Sequence, residues 1–155
     1  MRVFVFALIL MSVSLKAMSA EVRPGVMRTP DTMFENLKDF DFEPNYMNIQ
    51  GLRIHYLDEG PEDGQPIFLL HGQPTWGYLF RHMIPPLADA GYRVIVPDMA
   101  GFGRSDKPKK KEDYSYPKHI QIMSELVERL ELSDAVFFGQ DWGGLVGLRV
   151  VAEMP

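Results

Sequence analysis

Two short β-prone runs, Tyr46 to Ile49 and Leu52 to Leu57, flank Gln50-Gly51. Gly takes φ > 0 without strain, so this pattern predicts a hairpin. Turn residues from Glu59-Gly60-Pro61 to Gly64 follow. Then comes an unbroken apolar run, Ile67-Phe68-Leu69-Leu70, of the kind buried on both faces of a parallel sheet. Val94-Ile95-Val96 and Ala135 to Phe138 predict two further strands. Helical spacing lies between them. In Tyr78 to Ala90 the apolar positions are Leu79, Met83 and Leu87, with Pro85-Pro86 expected to bend or interrupt the helix. Tyr114 to Leu130 carries Ile122, Leu126 and Leu130 at i, i+4 and i+8, one apolar stripe. Trp142 to Glu153 is small and apolar enough for a buried helix. The order is a hairpin and then β, α, β, α, β, α. It predicts an α/β fold: a mostly parallel sheet with helices on both faces. No internal repeat or low-complexity segment interrupts it.

The first 45 residues follow another logic. Arg2, nine apolar residues from Val3 to Met11, and the small residues Ala17, Ser19 and Ala20 have the layout of a secretory signal peptide over 1–20. The apolar run is shorter than the ~20 residues that span a bilayer as a helix. Lys16 close to the apolar run weakens that layout, and a start at Met27 is the competing reading. The first predicts a periplasmic or secreted protein, the second a cytoplasmic one. Residues 21–45 are polar, with Pro24, Pro30 and Pro44, and read as a lead-in to a domain over 46–155.

Composition narrows the chemistry. The 155 residues are 46% hydrophobic and 24% charged, with 16 Lys plus Arg against 21 Asp plus Glu, a net charge of −5. Such a chain is globular rather than disordered. Its mild acidity argues against a nucleic-acid partner. With no Cys there is no disulfide, no Cys-ligated zinc and no thiol nucleophile. His55, His71, His82 and His119 lack ligand-like spacing, so no metal is expected. Gly101-x-Gly103 has Asp106 where a dinucleotide fingerprint needs a third Gly, and no P-loop motif occurs. No cofactor is expected. Lys107 and Lys109 to Lys111 read as a solvated loop.

The chemical signal is Gly139-Gln140-Asp141-Trp142-Gly143-Gly144, at a predicted strand-to-helix junction. It fits the nucleophile elbow G-x-S-x-G with Asp141 in the place of Ser. Tight turns of this kind require glycines, and the following helix aims N–H groups at the reaction centre. A carboxylate there can displace a leaving group from an sp³ carbon and form an alkyl ester. In the structural alternative, Asp141 only caps the next helix. His71-Gly72-Gln73-Pro74 follows the run 67–70, so both motifs sit at C-terminal strand ends, where such sheets place their sites. Asp98 to Ser105, after Val94–Val96, reads as a structural loop, and His71 as a buried, hydrogen-bonded part of its turn.

From Arg28 onward the chain resembles the haloalkane dehalogenases of the α/β-hydrolase superfamily. The resemblance rests on Arg28 to Leu37, His71 to Trp76 with Tyr78 to Arg81, Gly101 to Pro108, and Gln140 to Gly144. It implies an α/β-hydrolase fold, here its N-terminal part up to the nucleophile elbow. It implies Asp141 as nucleophile and the backbone N–H groups of Gln73 and Trp142 as oxyanion hole. The Trp142 indole N–H, a donor only, would hold the leaving halide, and the Gln73 amide would touch halide or water. The partners implied are a halogenated organic substrate, water and the halide product. An epoxide hydrolase of the same superfamily is the alternative; an apolar or aromatic residue at position 73 would favour it. A third reading is a non-catalytic α/β fragment that needs a partner chain.

The superfamily orders its residues nucleophile, acid, His. Residues 142–155 contain Glu153 and no His. The catalytic base, the acid, the cap and the later strands are therefore expected to be absent from these 155 residues, which would leave an open sheet edge. Alkylation of Asp141 once, without turnover, is the expected limit of the chain alone.

Overall fold

Alternation along one central strand sorts the core into two layers. In the computed structural model, which describes residues 19–153, Ile67 and Leu69 of β5 (Pro66–Leu70) face one side of a sheet, and Phe68 and Leu70 face the other. The predicted signal segment lies outside the described residues except for Ser19 and Ala20. The five-stranded sheet has the order β3-β4-β6-β5-β8, formed by β3 (Asn45–Ile49), β4 (Leu52–Glu59), β6 (Arg93–Pro97), β5 and β8 (Val136–Gly139). β5 runs parallel to both β6 and β8. The β3–β4 hairpin is the predicted one and pairs antiparallel onto β6.

One layer packs α2 (Tyr116–Arg129) and α3 (Trp142–Glu153) on the sheet. Ile122 and Leu126 are fully buried there, and Ser115 Oγ caps α2 by accepting from the Lys118 N–H. Val146 and Val150 of α3 are buried, and Gly147 lies against the Phe137 ring, where a Cβ would come within 2.1 Å. Only that face of α3 is covered. Leu145, Leu148 and Val151 are exposed, as are Val136 and Phe138 on β8, so α3 is half-buried rather than buried. Among the described residues the Phe80 ring meets Phe138 edge-on at 6.1 Å, and the five otherwise face outward.

The other layer holds α1 (Ile84–Asp89) and the segment 31–42. Tyr78 to Ala90 is not one helix. A 3₁₀ turn at Gly77–Phe80 precedes α1, and Pro85 and Pro86 occupy the first turn of α1, where a missing N–H costs nothing. The lead-in is more structured than its polarity suggests. β1 (Ala20–Arg23), β2 (Val26–Arg28) and β7 (Lys107–Pro108) make a small three-stranded sheet. Phe34 and Phe40 meet Trp76 edge-on at ring distances of 5.3 and 5.1 Å. Lys107 is a correction to the solvated-loop reading. Its half-buried ammonium donates to the carbonyls of Gly103 and Ser105, while Lys109 to Lys111 are exposed.

Candidate active site

β8 ends at Gly139, and one residue later the chain turns sharply into α3. Asp141 takes φ = 52°, a left-handed conformation that side chains rarely adopt. Close approach enforces the turn. A Cβ on Gly143 would stand 2.0 Å from the Leu70 carbonyl, and one on Gly139 would stand 2.8 Å from Gly144. The side chain of Asp141 does not cap α3 in the ordinary way. The N–H groups of Gly143 and Gly144 go to the carbonyls of Gln140 and Asp141, so backbone already satisfies the positions a capping carboxylate would serve.

The carboxylate is instead exposed and turned toward the loop after β5. Its Oδ2 accepts from the Gln73 N–H at 3.0 Å. Hydrogen bonds from the Trp142 and Gln73 N–H groups hold its carboxyl below the usual carboxylate range, so it is ionised at neutral pH. Gly72 is required for this approach, since a Cβ there would lie 2.5 Å from the Asp141 Cβ. The Gln140 side chain closes the junction by accepting from the Gly72 N–H at 3.2 Å.

His71 and Asp98 hold the loop from beneath. His71 is fully buried. Its Nδ1 donates to the Gly72 carbonyl at 3.0 Å and its Nε2 accepts from the Met99 N–H at 3.0 Å, so both ring nitrogens are engaged and the imidazole is neutral. Burial pushes its pKa down. It is therefore part of the turn, as its sequence position suggested. Asp98, also fully buried, accepts from the Gly77 N–H at 2.7 Å, the Arg104 N–H at 2.8 Å and His55 Nδ1 at 2.8 Å. Burial alone would raise its carboxyl; the bonds from His55 and the Gly77 N–H outweigh that and hold it low.

A cavity of about 340 Å³ opens beside the elbow, and Gln73 and Trp142 both line it with Met99, Phe102, Tyr114 and His119. All three residues singled out in the sequence, Asp141, Gln73 and Trp142, thus come together. Asp98 lies in the segment expected to be a structural loop, while His119 carried no expected role. His119 precedes Ile122, Met123 and Leu126 at i+3, i+4 and i+7, so its place on the inner face of α2 was visible in the spacing. Burial lowers its pKa, and its Nδ1 is buried with no hydrogen-bond partner among the described residues. No imidazole among the described residues hydrogen-bonds to Asp141.

Comparisons with known proteins agree with this arrangement. Residues 65–155 match the family described as the alpha/beta hydrolase fold. A haloalkane dehalogenase from Mycolicibacterium paratuberculosis is 57% identical over 135 residues, 84% of this chain and 45% of the relative. The solved structure of a haloalkane dehalogenase from Paraglaciecola agarilytica superposes with a TM-score of 0.80 at 46% identity, covering 83% of this chain and 45% of that one. An epoxide hydrolase from Vigna radiata superposes with a TM-score of 0.67 at 26% identity, over 73% of this chain and 36% of that one. The chain spans less than half the length of each of these proteins.

Proposed function

Because the chain belongs to the α/β-hydrolase fold family, we propose that it carries the nucleophile and oxyanion hole of a hydrolytic haloalkane dehalogenase. The observation behind this reading is Asp141, an ionised carboxylate on a left-handed elbow with Oδ2 3.0 Å from the Gln73 N–H.

In the first step an Asp141 carboxylate oxygen attacks the halogen-bearing carbon. A C–O bond forms, the carbon–halogen bond breaks, and the halide leaves with the bonding electron pair. Halide departs beside Trp142, whose indole N–H and the Gln73 side-chain amide are the donors proposed to receive it. In the second step water adds to the ester carbonyl of Asp141. The oxyanion then develops on Asp141 itself, in reach of the backbone N–H groups of Gln73 and Trp142, and collapse frees the alcohol. That step needs a general base, which the residues described here do not place on Asp141.

Gln73 favours dehalogenation over epoxide opening, because an amide donor suits halide or water where an apolar residue would not. Exposure of the protein to a short 1-bromoalkane and to a terminal epoxide separates the two readings. The proposal expects one halide released per alkyl group gained. Adducts from the epoxide alone, with no halide release, would reverse the assignment.

A further inference from the structure

We propose that Asp98 is a positioning residue, which acts through the loop 71–77 to aim the Gln73 N–H at Asp141. The inference rests on the functional reading above for its catalytic meaning, but its geometry is independent of any substrate.

The 71–77 loop carries the oxyanion donor and is fastened at both ends to two consecutive residues of another loop. At its start His71 Nε2 accepts from the Met99 N–H, and at its end the Gly77 N–H donates to Asp98 Oδ1. Gln73 lies between these anchors. The far loop is wrapped on the same carboxylate: the Arg104 N–H donates to Asp98 Oδ2, and a Cβ on Gly103 would come within 2.1 Å of that atom. His55 of β4 donates to Oδ2 from a third element. Donors from three separate chain segments thus converge on one side chain that is not among those lining the cavity.

A carboxylate is an unusual filler for that position. Its desolvation is costly, and a neutral or apolar residue seals a gap at lower cost. A carboxylate accepts only, and it has room for several donors. It can therefore order backbone N–H groups from several directions at once. That capacity is what fixing the Gln73 peptide requires, since a displacement of about 1 Å at an oxyanion donor can cost ~100-fold in rate.

The test is the titration of the Asp141 side-chain carboxyl, followed by NMR in the full chain. Ionised Asp141 is stabilised by the Gln73 N–H, so this midpoint reports where that N–H points, without any need for turnover. In D98N, which keeps shape but loses acceptor capacity, the Asp141 midpoint moves up. In His55→Gln, which leaves the carboxylate in place, it moves up less. Alkylation by a bromoalkane falls by up to ~100-fold in D98N, because the carboxylate that the Gln73 N–H holds loses its direction of attack, and a wild-type chain that is never alkylated would refute the functional reading while leaving the titration to judge this one. An unchanged Asp141 midpoint in folded D98N would overturn the proposal. Should both variants fail to fold, amide exchange in the wild type decides. Gln73, Gly77 and Met99 opening together supports the clamp; free opening of Gln73 while Gly77 and Met99 stay protected contradicts it.

Discussion

A carboxylate surrounded by water is a weak nucleophile, and the Asp141 side chain is exposed. What distinguishes it from the other surface carboxylates is position. The left-handed turn at φ = 52° and the N–H groups of Gln73 and Trp142 leave the carboxylate fixed and ionised. The elbow was legible in the sequence because glycines mark where backbones nearly touch: Gly143 on Leu70, Gly72 on Asp141. Asp98 was legible only as part of a structural loop, because two of its three bonds go to backbone N–H groups, which leave no side-chain signature, and the third comes from His55, 43 residues away. The crowding at Gly72 yields a prediction. In Gly72→Ala the new Cβ displaces the Asp141 side chain or the Gln73 loop. Alkylation of Asp141 by a bromoalkane should fall by ~100-fold, measured by intact mass against time, with circular dichroism unchanged. Wild-type rates in that variant would show that the close approach does not matter.

Elements whose residues alternate or recur at helical spacing were readable; those held by irregular contacts were not. β5 and β6 announced themselves as continuous apolar runs, and α2 as a stripe through Ile122 and Leu126. The segment 31–42 shows no period. Its burial comes from Phe34 and Phe40 docking edge-on against Trp76. Pro85-Pro86 marked the expected interruption of 78–90, but proline also suits a first turn, and the spacing alone did not show that a new helix began at Ile84. Leu126 is fully buried between α2 and the sheet. Leu126→Ala should cost about 2–5 kcal/mol by removing contacts and leaving a cavity, read from denaturant unfolding. A loss under 1 kcal/mol would mean that α2 is not packed as described.

For the molecule as a whole, acid should act in two stages. His71 and His119 have pKa values lowered by burial, so the unfolded chain binds protons there before the folded one does. Stability is intact above the unfolded His value of about 6.5 and declines as pH falls below it, by up to about 1.4 kcal/mol per pH unit for each group. Asp98 and Asp31 have lowered carboxyl pKa values. Their contribution is present above the unfolded value of about 3.9 and is lost below it, which steepens the decline. Unfolding midpoints measured from pH 8 to pH 3 check the order; stability flat down to pH 4 would contradict the buried neutral histidines. At this scale the sequence showed the α/β order and the hairpin, but not which face of α3 stays uncovered. Its apolar residues occur all around the helix, and only the packing against β8 and α2 selects Val146 and Val150 over Leu145 and Leu148.

The most direct measurement of the central claim is to incubate the 155-residue chain with a short 1-bromoalkane at neutral pH, then digest it and map the modified peptide by mass spectrometry. A single alkyl group is expected, carried as an ester on Asp141, with one bromide released per chain and none from Asp141→Asn. An unmodified Asp141, or an adduct elsewhere that persists in Asp141→Asn, would contradict it.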